Sequence, residues 1–70
     1  MRFSRHAKNW ARSRRFDVTD AEHVIANPVH VDQDETGKKR YTGEVRGYRV
    51  RVVVALDDPG LIVTIHRRRR

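Results

Sequence analysis

Arginine and histidine are the residues of this chain whose types and spacing could do chemistry. Arg51 lies in a run rich in β-branched residues, and His66 ends the next such run. If the two runs pair as antiparallel strands, Arg51 lies opposite His66 on one face, with Thr42 and then His30 on the strands beyond. Histidine exchanges protons near neutral pH, and arginine offers phosphate a permanent fork of donors. Cleavage of RNA without a metal needs an acid, a base and fixed positive charge.

The same face also fits a second interpretation, a solvated surface with no site. In that interpretation Arg49 and Glu44 form one weak ion pair across neighbouring strands, and Arg40 and Asp32 form another. Spacing does not decide between the two interpretations, so both stay open at this point.

Other chemistries find little support. The chain has no cysteine, which excludes disulfides and every cysteine-based metal or nucleophile scheme. Asp32–Gly37 begins like a calcium loop, but Gly43 stands where that loop needs a bidentate glutamate. The four histidines include no i,i+4 pair, and we find no phosphate-binding glycine loop and no nucleophilic serine motif. We therefore expect neither a metal nor a cofactor.

A β-hairpin is expected to position Arg51 and His66. Strands Tyr48–Leu56 and Leu61–His66 flank the turn cluster Asp57–Gly60. The predicted register pairs Leu56 with Leu61, Val54 with Val63, and Val52 with Ile65. One face is then apolar and consists of Tyr48, Val50, Val52, Val54, Leu56, Leu61, Val63 and Ile65. The open face consists of Arg49, Arg51, Val53, Ala55, Ile62, Thr64 and His66.

Two more strands and two helices complete the predicted fold. Val29–Gln33 and Lys39–Arg46 are expected to pair ahead of the hairpin. The fold class is α+β, with two N-terminal helices packed on one face of a four-stranded antiparallel sheet. Arg2-Phe3 could add a short edge strand, but two residues give no periodicity to test.

The helices are predicted from their caps and apolar stripes. Ser4 is expected to cap a helix over residues 5–14, whose apolar positions include Trp10. Asp17 and Asp20 are expected to form a capping box for the second helix. Asn27-Pro28 ends that second helix, because proline disfavours helical backbone in the residue before it.

Positive charge is the strongest compositional signal. The formal net charge is +7 on 70 residues, and no Lys or Arg occurs from 16 to 37, where six acidic residues lie instead. A basic chain with this polarised distribution favours a polyanionic partner such as nucleic acid. The sequence predicts one domain over residues 1–66 and a basic tail, Arg67–Arg70, which charge repulsion favours as a disordered extension. No apolar run is long enough to span a bilayer, so we expect a soluble, cytoplasmic protein.

Several motifs occur together in a fixed order. They are Ser4-Arg5-His6-Ala7, Arg14, a Phe16–Ile25 helix ending in Asn27-Pro28, Arg40-Tyr41, Val50–Val54 and Ile62-Val63-Thr64-Ile65. This ordered set resembles a family of small uncharacterised bacterial proteins grouped with the RelE and BrnT toxins. The resemblance covers nearly the whole chain. Trp10 departs from the family pattern, which usually has Arg there, and Arg15 replaces a Gly.

The resemblance implies a RelE-like, barnase-related fold and a metal-independent endoribonuclease toxin that an antitoxin or immunity protein neutralises. Carried onto this sequence, its hallmark positions are His6, Arg14, Arg51 and Thr64, and His66 stands where relatives often have Tyr. The predicted catalytic residues are therefore His6, Arg14, Arg51, Thr64 and His66. Residues predicted to grip the RNA backbone are Lys38, Lys39, Arg40, Arg49, Arg67 and Arg68.

Two other functions fit the same fold class. The chain could be a non-catalytic module that binds nucleic acid or a protein, since relatives in this grouping include non-cleaving proteins. It could also be a gyrase-directed toxin of the same fold. Salt-sensitive binding would support any nucleic-acid ligand, whereas only cleavage of RNA identifies the enzyme.

Overall fold

A computed structural model describes residues 1–69 of the chain. Arg70 of the predicted tail lies outside the described residues, as does the side chain of Arg69. The elements in chain order are β1 (Arg2–Phe3), α1 (Arg5–Ser13), α2 (Val18–Ala26), β2 (His30–Gln33), β3 (Lys39–Val45), β4 (Tyr48–Ala55) and β5 (Asp58–Arg69). Neither helix of this described part is long and apolar enough to cross a membrane.

The sheet differs from the predicted four-stranded antiparallel sheet, and that prediction is wrong. Within residues 1–69 the sheet has five strands in the order β1-β5-β4-β3-β2. Strand β1 pairs with β5 in parallel, Arg2 with Leu61 and Phe3 with Ile62, so the sheet is mixed. A strand of two residues shows no alternation, and its partner lies far away in sequence, so periodicity could not reveal the pairing. The coarser α+β class holds.

The register around the predicted site is the expected one. Thr42 pairs with both His30 and Arg51, and Arg51 pairs with His66. The hairpin end differs, because Val54 pairs with Ile62 instead of Val63. Val63 is an extra residue on β5, so the strand carries a bulge there.

The bulge changes which residues of β5 face the core. Ile62, predicted on the open face, is fully buried, while Leu56, predicted in the core, is 65% exposed. Val63, also predicted in the core, lines a depression on the open face. Leu61, Ile62 and Val63 are all apolar, so the sequence does not indicate which of them faces the core. The predicted pairing of Leu56 with Leu61 is therefore wrong.

The core lies between the two helices and one face of the sheet. Small residues of α1 and α2, Ala7, Ala11 and Ala21, are buried against Val50, Val52 and Ile65. Gly43 of β3 permits the close approach of α2, because a Cβ atom there would lie 3.2 Å from Cγ1 of Val24. Covering one face in this way leaves the other face of β2–β5 open to solvent.

Both predicted helix caps are present. The Ser4 hydroxyl accepts a hydrogen bond from the Ala7 backbone N–H at 3.2 Å. Asp17 and Asp20 form the reciprocal capping box at the start of α2. Ser4 also donates through its backbone N–H to the Ile62 carbonyl at 2.8 Å, so the cap is attached to β5.

Strand β5 continues through the residues predicted to begin a tail. Arg67 pairs with Val50, Arg68 with Arg49, and the backbone of Arg69 with Tyr48. The predicted boundary between residues 66 and 67 thus falls inside a strand. The backbone hydrogen bonds of this pairing with β4 favour an ordered strand, and the prediction from charge repulsion alone did not include them.

Candidate functional site

A row of polar side chains crosses the open face of the sheet. His30 on β2, Thr42 on β3, Arg51 on β4 and His66 on β5 are successive partners in the strand registers. Directly paired residues point to the same face, with Cβ atoms roughly 5 Å apart. Arg51 and His66 are therefore close enough to act on one bound group. His30 lies two strands beyond Arg51 and is separated from it by Thr42.

Two adjoining depressions of the open face meet at Arg51 and His66. The smaller, about 130 Å³, is lined by Thr42, Arg49, Arg51, His66 and Arg68. The larger, about 500 Å³, is lined by Asp34, Lys38, Arg40, Arg51, Val53, Val63, Thr64 and His66. The surface is broad and open rather than an enclosed pocket, which suits an extended polymer better than a small molecule.

Two arginines of the open face are bound to carboxylates. Arg40 donates to both carboxylate oxygens of Asp32, at 2.8 and 2.6 Å. Arg49 donates to Glu44 at 2.9 Å. Hydrogen bonding from Arg40 holds the pKa of the Asp32 carboxyl below its ordinary value, so this pair stays ionised down to acid pH. These two arginines are therefore largely neutralised by their neighbours.

Arg51 and Arg68 differ from them. Within the described part of the chain, neither guanidinium forms a hydrogen bond or an ion pair. Arg51 is exposed at the centre of the row. An anion such as phosphate can take up those donors without displacing a carboxylate.

The loop that resembles the start of a calcium site has another structure. Asp34 Oδ1 accepts from the backbone N–H groups of Thr36 and Lys38, both at 2.9 Å, and from the Thr36 hydroxyl at 2.7 Å. These hydrogen bonds, led by the Thr36 hydroxyl, lower the pKa of the Asp34 carboxyl. Asp34 therefore stabilises the β2–β3 turn. Among residues 1–69 no group of three or more His, Cys, Asp or Glu side chains could hold a metal ion.

The structure brings some of the predicted catalytic residues together and separates others. Arg51, Thr64 and His66 line one surface. His6 lies instead on α1 and Arg14 caps its C-terminal end, and α1 packs against the opposite face of the sheet. Sequence spacing could not reveal this separation, because it does not say which face a helix covers.

The residues predicted to grip RNA are divided in the same way. Lys38, Arg40, Arg49 and Arg68 surround the open face. Lys39 lines a groove on the helix-covered side, together with residues that include Ile25 and Tyr41. Arg67 also lies on that side.

Sequence analysis missed a second cationic surface at the end of the sheet. A cavity of about 320 Å³, here called the end pocket, is lined by Arg14, Arg15, Phe16, Val45, Arg46, Tyr48, Val50 and Arg67. The Arg67 guanidinium lies 4.2 Å from the centroid of the Tyr48 ring. If the alternation of side chains along β5 is continued beyond Ile65, Arg67 falls on this side of the sheet. The sequence analysis instead predicts a disordered tail there, because of charge repulsion among the arginines.

Comparison with protein families gives a match over nearly the whole chain. The sequence profile of a family described as Domain of unknown function (DUF4258) matches residues 3–67. The chain belongs to this family. No significant match was found among curated proteins or among solved structures. The DUF4258 match does not connect the chain with the RelE and BrnT toxins, so that resemblance stays a prediction.

The matched range of the DUF4258 domain includes both helices and the whole row from His30 to His66. Its open face offers unpaired guanidinium donors beside an exposed imidazole. Such a pair can bind a phosphodiester and exchange a proton with a hydroxyl group beside it.

Proposed function

We propose that this chain binds RNA on its open sheet face and cleaves it by metal-independent transesterification. The observation that carries the proposal is the pairing of Arg51 with His66, both exposed and both without a carboxylate partner within residues 1–69. A structural arginine at such a position would be expected to have a carboxylate partner, as Arg40 and Arg49 do.

The proposed reaction uses His66 as the proton-transfer group. The neutral imidazole takes the proton of the RNA 2′-hydroxyl, and the resulting oxygen attacks the adjacent phosphorus. The bond from phosphorus to the 5′-oxygen breaks, and water protonates the leaving oxygen. The hydroxide formed then takes the proton back from His66, which leaves a 2′,3′-cyclic phosphate and a 5′-hydroxyl. Arg51 stabilises the charge that develops on the phosphate oxygens.

Thr64 and Arg68 act beside this pair. Thr64 is exposed two residues before His66 on β5, where its hydroxyl can orient the substrate. Arg68 lines the smaller depression and binds a neighbouring phosphate. Lys38, Arg40 and Arg49 add to the positive field, although two of these are shared with carboxylates. RNA binding therefore weakens steeply as the salt concentration rises.

The biological role that we propose is that of a RelE-like toxin, neutralised by an antitoxin or immunity protein. The motif resemblance supports this role, and so does the net charge of +7, which favours an acidic partner. An inhibitor that covers Arg51 and His66 would block the reaction.

The decisive experiment is cleavage of bulk RNA in EDTA by the native chain and by His66→Ala. We expect the native chain to cleave and the variant to lose activity by a factor of about 10² to 10⁴, the usual contribution of general acid–base catalysis. His23→Ala is the matched control, because His23 is an exposed histidine of α2 on the other side of the sheet. Equal activity of the native chain and His66→Ala would overturn the assignment.

A non-catalytic binding module is the second candidate. One observation favours it: His6 lies on the helix-covered side and His30 lies three strands from His66, so His66 has no second histidine directly beside it in its row. Salt-sensitive RNA binding by a chain that leaves RNA intact, with and without ribosomes, would support this module.

A further inference from the structure

The end pocket lies where the C-terminal end of α1 meets the start of β4 and the end of β5. Its floor is apolar and consists of Phe16, Val45, Tyr48 and Val50. Four arginines line it: Arg14, Arg15, Arg46 and Arg67. Apolar and aromatic surface beside concentrated positive charge suits a ligand that is both flat and anionic.

Two of these arginines lie over aromatic rings. The Arg67 guanidinium lies 4.2 Å from the centroid of Tyr48, and the Arg14 guanidinium lies 4.5 Å from that of Trp10. Arg14 also donates to the Trp10 carbonyl at 3.3 Å. Stacking of this kind orders a guanidinium plane before any ligand arrives.

The other two arginines occupy unusual backbone positions. Arg15 has a φ of 54° and Arg46 a φ of 47°, in the left-handed region that favours glycine. Arg46 donates to Asp20 at 2.8 Å and to the Arg15 carbonyl at 3.2 Å, which holds the two turns together. Two arginines therefore stand around one pocket at positions where glycine would be less strained.

Residues of the end pocket alternate with residues of the open face along β4 and β5. Arg67 and Arg68 are consecutive on β5, and Tyr48 and Arg49 are consecutive on β4, so each strand carries one residue toward each face. Arg49 pairs with Arg68 in the register. A flexible strand lying on Arg51 and Arg68 can therefore turn around the end of the sheet into the pocket.

We propose that the end pocket holds an unpaired base of single-stranded RNA, next to the segment bound on the open face. The base stacks on the Arg67 guanidinium, which the Tyr48 ring supports from its other side, and its flanking phosphates pair with Arg14 and Arg15. Cationic grooves with aromatic platforms bind single strands in this way, and a base locked in a duplex cannot enter such a pocket. This inference rests on the proposed function, because the open face must bind the same RNA.

The test is a binding titration with a 2′-O-methyl oligoribonucleotide of 12 nucleotides, which lacks the attacking hydroxyl and cannot be cleaved. The native chain is compared with Tyr48→Leu and Arg67→Ala. We expect each variant to bind about 10-fold more weakly, as loss of one base-stacking contact predicts. Arg12→Ala is the control for charge, because Arg12 is an exposed arginine of α1 that does not line the pocket.

A second readout separates stacking from charge. An otherwise identical oligonucleotide without bases should bind the native chain and Tyr48→Leu equally, since only the base uses the ring. Tyr48 packs against the core, so the fold of each variant is checked by circular dichroism, and Arg67→Ala provides the test if Tyr48→Leu unfolds.

The outcomes distinguish the two proposals. If Tyr48→Leu and Arg67→Ala bind like the native chain while Arg51→Ala binds weakly, the end pocket is not an RNA site and the open face is. If a duplex of the same sequence binds as tightly as the single strand, the inference also falls. If the native chain binds none of these oligonucleotides, the proposed function itself is overturned.

Discussion

The β2–β3 side and the β4–β5 side of the open face carry the same residue type in different electrostatic states. On the first side, Arg40 is bound at both carboxylate oxygens of Asp32. On the second side, Arg51 and Arg68 have no ion pair within residues 1–69, and only Arg49, at the edge of that side, reaches across to Glu44. Because a paired arginine must exchange one anion for another, the unpaired arginines should contribute to binding and the paired ones mainly to structure.

The largest predicted effect is a difference in the rate of RNA cleavage between substitutions at Arg51 and at Arg49. We expect Arg51→Ala to lower the rate of RNA cleavage by about 10²-fold or more, as loss of a donor to a developing oxyanion does. Arg49→Ala removes the same charge two residues away, but that guanidinium is already bound to Glu44. Its rate should stay within about threefold of the native rate, close to the effect of one phosphate contact. Initial rates in EDTA measure both variants, and equal losses would remove the distinction.

A second experiment converts a paired arginine into an unpaired one. Asp32→Asn removes the charge that neutralises Arg40. The Asp32–Arg40 pair lies on the same open face as Arg51. We expect single-stranded RNA to bind about threefold more tightly at low salt, with the slope of log K against log salt steeper by about 0.7. Glu35→Gln removes one negative charge from an exposed residue of the adjoining turn and is the matched control. The same gain in both variants would indicate a general charge effect.

The smallest predicted effect concerns the free energy of unfolding and the ion pair between Arg46 and Asp20, which lies away from the open face. Hydrogen bonding from Arg46 lowers the pKa of Asp20 below its ordinary value of 3.8. A carboxyl whose pKa is lower in the folded state stabilises the protein above its unfolded pKa, and this contribution is lost as pH falls through the folded pKa. We expect Asp20→Asn to lower the free energy of unfolding at pH 7 by about 0.5 kcal/mol.

Urea denaturation at several pH values measures that effect. The difference between Asp20→Asn and the native chain should shrink as the pH falls below about 4 and through the lowered pKa of Asp20, because the native side chain then loses its charge as well. A difference that stays constant as the pH falls would assign the effect to the capping box rather than to the ion pair with Arg46.

Much of the candidate site could be predicted because strict alternation sets its register. Thr42, Arg51 and His66 lie on strands whose apolar partners repeat at every second position, so a one-residue slip would expose the core. The bulge at Val63 could not be predicted, since three successive apolar residues satisfy either phase. His6 and Arg14 were assigned to the site by resemblance, and spacing along α1 could not reveal that this helix covers the opposite face.

The pairing of β1 with β5 has a consequence for how the site is made. Arg2 and Phe3 pair with Leu61 and Ile62, and Ser4, the cap of α1, donates to β5. Strand β1 and the cap of α1 therefore find these partners only nearly sixty residues later in the chain. Arg51 likewise meets His66 only when β5 docks. A nascent chain that has not yet made β5 thus carries no assembled Arg51–His66 pair, so the open face is complete only after β5 has been synthesised and has docked.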